Sequence, residues 1–280
     1  MDTAAHRSTQ AIFKRHIALP SDHGSWVFIL SPLLIGLFAG EHWSISSVFL
    51  VAAAMAAFLI RQPVTIAIKA YSGRRARRDL PAAWVWIATY GLVGLAALLG
   101  LVLQGFAYLS ILAIPAVPVF AWHLYLVSKR AERRQAGIEI VGSGVLALAA
   151  PAAMWVGAGH PDPNGWWLFG LVWLQSAASI VYAYARLEQR SLETQPDIST
   201  SWRISRRALF YTTYNMALVL SLAMFDLLPT LLLLPYAVQW LETIWGTLRP
   251  AVGYTPTRIG MRQLIVSSVF TISFILAWNL

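Results

Sequence analysis

The chain has 280 residues, of which 58% are hydrophobic and only 12% charged, with a mean hydropathy of +0.61 and no cysteine. Soluble domains run at roughly 45–50% apolar and about 25% charged, so this composition excludes an ordinary soluble globule and points to a polytopic membrane protein. The lack of Cys excludes disulfides and thiolate chemistry, and the net charge of +9 is read as membrane topology, not as nucleic-acid binding.

A bilayer core takes roughly 20 apolar residues per helix. By that rule the sequence predicts nine spans, over Gly24–Gly40, Trp43–Ile68, Ala82–Leu103, Ala107–Val127, Ile138–Val156, Trp166–Ala185, Ala208–Phe225, Leu227–Trp245 and Ile259–Trp278. The expected fold class is therefore all-α and polytopic, with residues 1–23 as a cytoplasmic N-terminal segment and 24–280 as a single transmembrane helical domain. The eighth span is the weakest, because the Leu231–Leu234 run is short before Pro235. The stretch from Arg186 to Arg207 is expected to be a polar cytoplasmic connector.

All 21 Lys and Arg residues fall on one side: before the first span, in alternate connections after it, or, for Arg61 and Arg262, within the span ends that border those connections. Examples are Arg74, Arg75, Arg77 and Arg78 after the second span and Arg203, Arg206 and Arg207 before the seventh. The positive-inside rule then places the N-terminus in the cytoplasm and the C-terminus outside. An even number of spans would break the alternation. The opposite connections are short, so function is expected at the cytoplasmic end.

The N-terminal string LPSDHGSW can cap the first helix through Ser21 or Asp22 and places His23 at the cytoplasmic interface. Its plainer reading is a cap followed by an aromatic anchor, Trp26. On the second span Arg61, Thr65 and Lys69 stand at i, i+4, i+8, which puts them on one helical face, with Gln62 beside them. The plainer reading there is a snorkelling arginine and a loop lysine. The fourth span offers His123 and Lys129. The sixth repeats the second's pattern with Tyr182, Arg186 and Arg190. The eighth offers Glu242, most simply the partner of an arginine. Ionisable groups at membrane depth are costly and functional by default, so His23, Arg61, Gln62, Lys69, His123, Lys129, Tyr182, Arg186 and Glu242 form the candidate ligand-binding set. The set is cationic and suits a phosphate, a diphosphate, a carboxylate or a lipid headgroup. The spans carry no paired carboxylates for a hard cation and no HExxH, GxSxG or Walker string. No metal and no cofactor are expected.

Two resemblances add to this reading. LPSDHGSWVFILSPLLIGLFAG is similar to the opening of the YwiC-like bacterial membrane proteins, which carry a Pro-x-x-His-Gly-x-Trp signature before the first helix. FLIRQP at 58–63, the GRRARRD loop and the C-terminal TRIGMRQ are also similar, so the resemblance runs over nearly the whole chain. More distantly, the span count and the polar faces of the second and sixth spans resemble the UbiA-type intramembrane prenyltransferases. Those carry Asp-rich motifs on the same two helices, whereas Arg61, Thr65, Lys69 and Tyr182, Arg186, Arg190 stand there in this sequence.

The reading is an integral protein of the bacterial inner membrane with a basic, cytoplasm-facing cavity for an anionic lipid or isoprenoid phosphate. Its expected partners are membrane lipids and that ligand, with no nucleic acid. The alternatives are an accessory or assembly protein without catalysis, whose basic loops would be docking surfaces, and a small-solute transporter, which would need polar groups along the outer half of the pathway.

Overall fold

The computed structural model describes residues 15–20, 23–131 and 135–280, apart from the side chains of Arg15 and His23. Among them there are helices and turns and no strands. A short turn, α1 (Arg15–Ala18), precedes α2 (His23–Ala39), α3 (Ile45–Tyr71), α4 (Leu80–Leu103) and α5 (Ala113–Ser128). Then follow α6 (Ala136–Ala147), α7 (Ala149–Ala158), α8 (Asn164–Arg190), α9 (Ile198–Met224), α10 (Leu233–Leu248) and α11 (Pro256–Asn279). Six helical stretches are long and apolar enough to cross a bilayer, and Gly24–Ala39 is a shorter apolar helix. The chain is a multi-pass membrane protein.

Local chemistry sets the boundaries. Ser44 accepts from the Ser46 amide, and Ser47 reaches back to the Ser44 amide, so α3 starts in a capping box. Asp197 caps α9 by accepting from the Thr200 amide. That cap starts α9 at Ile198 rather than Ala208. The polar stretch expected as a long connector is therefore mostly helix, and only residues 191–197 link α8 to α9. Thr255 caps α11 and Pro256 takes its first position.

Two expected spans are interrupted. The fifth divides at Leu148 into α6 and α7. Pro151 has no amide to donate and its ring crowds the carbonyl four residues back, that of Ala147, where α6 ends. The eighth enters as a 3-10 turn over Thr230–Leu232 before α10 begins. At 1.5 Å per residue the 16 residues of α10 reach roughly 24 Å, short of the ~30 Å hydrocarbon core.

Packing divides the helices into inner and outer. The most apolar stretch of α8 is 67% buried, and that of α4 only 11%. α4 pairs with α3 and turns Leu92, Leu95, Leu99 and Leu103 outward. In water such a surface would be costly; in lipid it is the expected exterior. α8 lies among α6, α7, α9, α10 and α11, and α2 bridges α6 and α7 to α11. The Ser31 and Thr271 hydroxyls, 2.6 Å apart, join α2 to α11.

α2 crosses α7 at backbone contact. A Cβ on Gly36 would sit 2.2 Å from the Ala150 carbonyl oxygen, and one on Gly157 would sit 2.5 Å from that of Gly40. Small residues at such crossings are what allow membrane helices to approach so closely. Gly157→Val should therefore force the helices apart and destabilise the fold by about 1–3 kcal/mol or more, read as a lower melting temperature in detergent. Gly137→Val, where a Cβ meets nothing within 4 Å, should leave it unchanged.

Candidate functional site: a cationic, aromatic cavity

At one end of α8, α10 and α11 lies a cavity of ≈ 520 Å³. Its charged lining is three arginines, Arg186, Arg258 and Arg262, and one carboxylate, Glu242. Trp245 and Tyr254 supply aromatic walls, and Met261 and Ile265 extend an apolar wall onto the outside of α11, where they are 50% and 60% exposed.

The deepest cation is Arg186, only 2% exposed. Its Nη1 donates to the Gly246 carbonyl at 2.6 Å, the Arg249 carbonyl at 2.8 Å and Gln189 Oε1 at 2.8 Å. The last carbonyls of an α-helix have no partner within the helix and carry the negative end of its dipole. Arg186 thus closes the C-terminal end of α10 and finds its countercharge there. Gln189 completes the closure: its Nε2 donates to Ser205 Oγ and the Gly246 carbonyl, and its Oε1 accepts from the Ala251 amide.

Glu242 takes a second cation. Arg262 Nε donates to Oε1 at 2.6 Å and Nη2 to Oε2 at 2.7 Å, the two-pronged geometry that Arg also uses on phosphates. Tyr182 adds its hydroxyl to Oε1 at 2.8 Å. The Arg262 guanidinium lies over the Trp245 ring at 3.6 Å. Arg258 stands over the Tyr254 ring at 4.0 Å. Its side chain is exposed and has no carboxylate partner among the described residues. It is the cation of this site most ready to accept an incoming anion.

The cavity gathers Tyr182, Arg186 and Glu242 from the expected set and leaves the others elsewhere. Arg61 is half-buried, 5.6 Å from the Phe58 centroid on its own helix. Gln62 donates to the His16 carbonyl. Lys69 is half-buried in the last turn of α3, and His123 is half-buried on α5. Lys129, exposed, caps α5 near the Tyr125 ring. His23 begins α2, but its side chain lies outside the described residues. None of the others lines the cavity. Arg61 and Lys69 do not converge with Arg186 on it, because α3 packs mainly on α4, away from the α8–α10–α11 group. Arg258, Arg262, Trp245 and Tyr254 were not singled out from sequence. The available signal was the i, i+4 pair Arg258 and Arg262 within TRIGMRQ.

A solved structure of digeranylgeranylglyceryl phosphate synthase in membranes is similar to this helical architecture, with a TM-score of 0.58, covering 97% of this chain and 98% of that one. At 13% sequence identity the likeness is one of fold. In sequence, residues 19–154 match the family model described as YwiC-like protein, which takes in LPSDHGSW and FLIRQP and stops before TRIGMRQ. No curated protein matches the chain.

The Asp-rich motifs of UbiA-type enzymes imply a divalent metal. The donor set here does not fit one. Hard cations need several oxygen ligands, and the cavity's single carboxylate is already held by Arg262 and Tyr182. Among the described residues no three His, Asp or Glu come together.

Gly246 makes room for the Tyr182 hydroxyl, which would lie 2.0 Å from an added Cβ. Gly246→Ala should displace Tyr182 from Glu242 and cost about 1–3 kcal/mol. In a double-mutant cycle with Tyr182→Phe the cost should be smaller, since the clashing oxygen is gone. Melting temperatures of the four proteins read the coupling.

Proposed function

We propose that the protein binds an anionic amphiphile, a phosphate- or diphosphate-headed lipid of the isoprenoid phosphate kind, in the α8–α10–α11 cavity. The observation that carries this reading is the split lining: three arginines against one glutamate at one end, and an apolar wall of Met261 and Ile265 that continues onto the exterior of α11. A headgroup would meet Arg258 first, with Arg262 and Arg186 behind it, and its chain would lie along the apolar wall. Tyr182 and Glu242 hold Arg262 in position. Arg61, Gln62, Lys69, His123 and Lys129 belong in this reading to the belt that faces lipid headgroups around the bundle. The fold shared with a prenyltransferase favours an isoprenoid chain over other lipids.

The topology proposed with it is nine spans in a bacterial inner membrane, the N-terminus and the cavity on the cytoplasmic side. The segregation of all 21 basic residues supports it, and α10 would sit as a short span completed by its 3-10 entry. A reporter active only in the cytoplasm, fused after Leu280, should stay silent; strong activity there would overturn the orientation or the count.

Binding can be followed by the fluorescence of Trp245 as the protein in lipid nanodiscs is titrated with farnesyl phosphate. Charge-assisted hydrogen bonds contribute about 1.5–3 kcal/mol, so Arg258→Ala should weaken binding roughly ten- to hundredfold. Arg75→Ala, in the α3–α4 connection, should do little, and a chelator should leave binding unchanged. Equal loss in the Arg75 and Arg258 variants would reduce the effect to general surface charge. Binding of neutral farnesol as tight as that of the phosphate would remove the headgroup from the reading.

A further inference from the structure

A polar seam continues inward from the cavity. Gln263, in the cavity lining, accepts from the Ser179 hydroxyl at 3.1 Å. Ser179 also lines a second, much smaller cavity between α2, α8 and α11, together with Ser31, Gln175, Ser176 and Ser267. This second cavity is ≈ 10 Å³, the room that a single water needs. Gln175 lies 11 positions before Arg186, roughly 16 Å deeper along α8 at 1.5 Å per residue.

The hydrogen bonding at that depth is incomplete in a specific way. Gln175 is only 6% exposed. Its Nε2 donates to Gln239 Oε1 at 3.0 Å, but its Oε1 and Gln239 Nε2 have no partner. Exchanging the oxygen and nitrogen of both amides does not cure this. Gln239 would then donate to Gln175, and a donor on Gln175 and an acceptor on Gln239 would be left over instead. On α9, Asn215 Nδ2 donates to the carbonyl of Leu174, the residue before Gln175, while its Oδ1 is also without a partner. Orphaned polar atoms in hydrocarbon cost several kcal/mol each. Apolar cavities stay dry, whereas a buried water typically makes two to four hydrogen bonds to polar walls. The walls here are four serines and a glutamine set among Val27, Phe28, Val172 and Phe270, so the polar partners a water needs come from the Ser and Gln side chains alone.

We propose that this small cavity is an internal water site, with Gln175 as its deep anchor and the serine hydroxyls as its other ligands. It would be the inner end of a hydrated seam that starts at the arginine cavity and passes Gln263 and Ser179. The site does not depend on any lipid ligand, so its test and that of the lipid reading fail separately.

Radiolysis of bound water generates hydroxyl radicals in place, and these oxidise the nearest reactive side chains. Phe270 lines the small cavity and Phe274 does not, although both are closed to bulk solvent at 1% and 0% exposure. X-ray footprinting of the full chain in lipid nanodiscs should oxidise Phe270 several-fold faster than Phe274. Equal rates would overturn the proposal without any mutation. Gln175→Leu, which removes the anchor and adds apolar bulk, should bring the Phe270 rate down to that of Phe274 while leaving the exposed Phe225 unchanged. A Phe270 rate that persists in a folded Gln175→Leu protein would also overturn it.

Discussion

The hydrogen bonds of Arg186 to the carbonyls of Gly246 and Arg249 organise this end of the molecule. A guanidinium cannot lose its proton at any ordinary pH, so burying one in a membrane protein obliges the surroundings to supply acceptors. Here they come mainly from main chain. The last turn of the 16-residue α10 buries Gly246 and Thr247, and Pro250 has no amide to pair with the Gly246 carbonyl, which would otherwise be stranded. The cation and the stranded helix end solve each other's problem. That contact fixes the depth of α10 against α8 and, with it, the positions of Glu242 and Trp245.

The second consequence concerns charge. Main-chain carbonyls neutralise Arg186 only by dipoles, and Glu242 is matched by Arg262. Arg258 has a ring beneath it but no carboxylate among the described residues, so the cavity lining keeps a surplus of positive charge. In a low-dielectric setting that surplus is felt strongly. It is placed where the lining changes from polar to apolar, the boundary an amphiphile straddles. The carboxylate in the Arg262 fork holds that side chain in a geometry that also fits a phosphate.

Much of the fold was legible because membrane helices announce themselves by composition. The apolar segments and the basic connections could be read directly, and the structure moved their ends where a local device acted: Asp197 extended α9, and Pro151 divided the fifth span at Leu148. The site was legible only in part. The Arg61–Thr65–Lys69 and Tyr182–Arg186–Arg190 patterns are equivalent along the chain. What separates them is that α3 packs mostly against its hairpin partner α4, while α8 is surrounded. Periodicity reports which residues share a face, not what that face meets. Arg258 and Arg262 were hidden for a related reason. Counted for topology, they looked like any basic residues beside a span, and their roles appear only when α11 meets α10.

The hydroxyl pair between Ser31 and Thr271 has a consequence for the order of synthesis. It joins residues 240 positions apart, and the helices it joins are the outer walls of the polar seam on α8. Helices leave the ribosome in sequence, so α8 with its glutamines and its buried arginine enters the membrane while α11 is still being made. Until α11 arrives, Glu242 lacks Arg262 and Ser31 lacks its partner. Arg186, Gln189 and Gln175 find partners on α9, α10 and the turn after it, so the nascent protein passes through a stage in which only the polar contacts to α11, those of Glu242, Ser179 and Ser31, are still open.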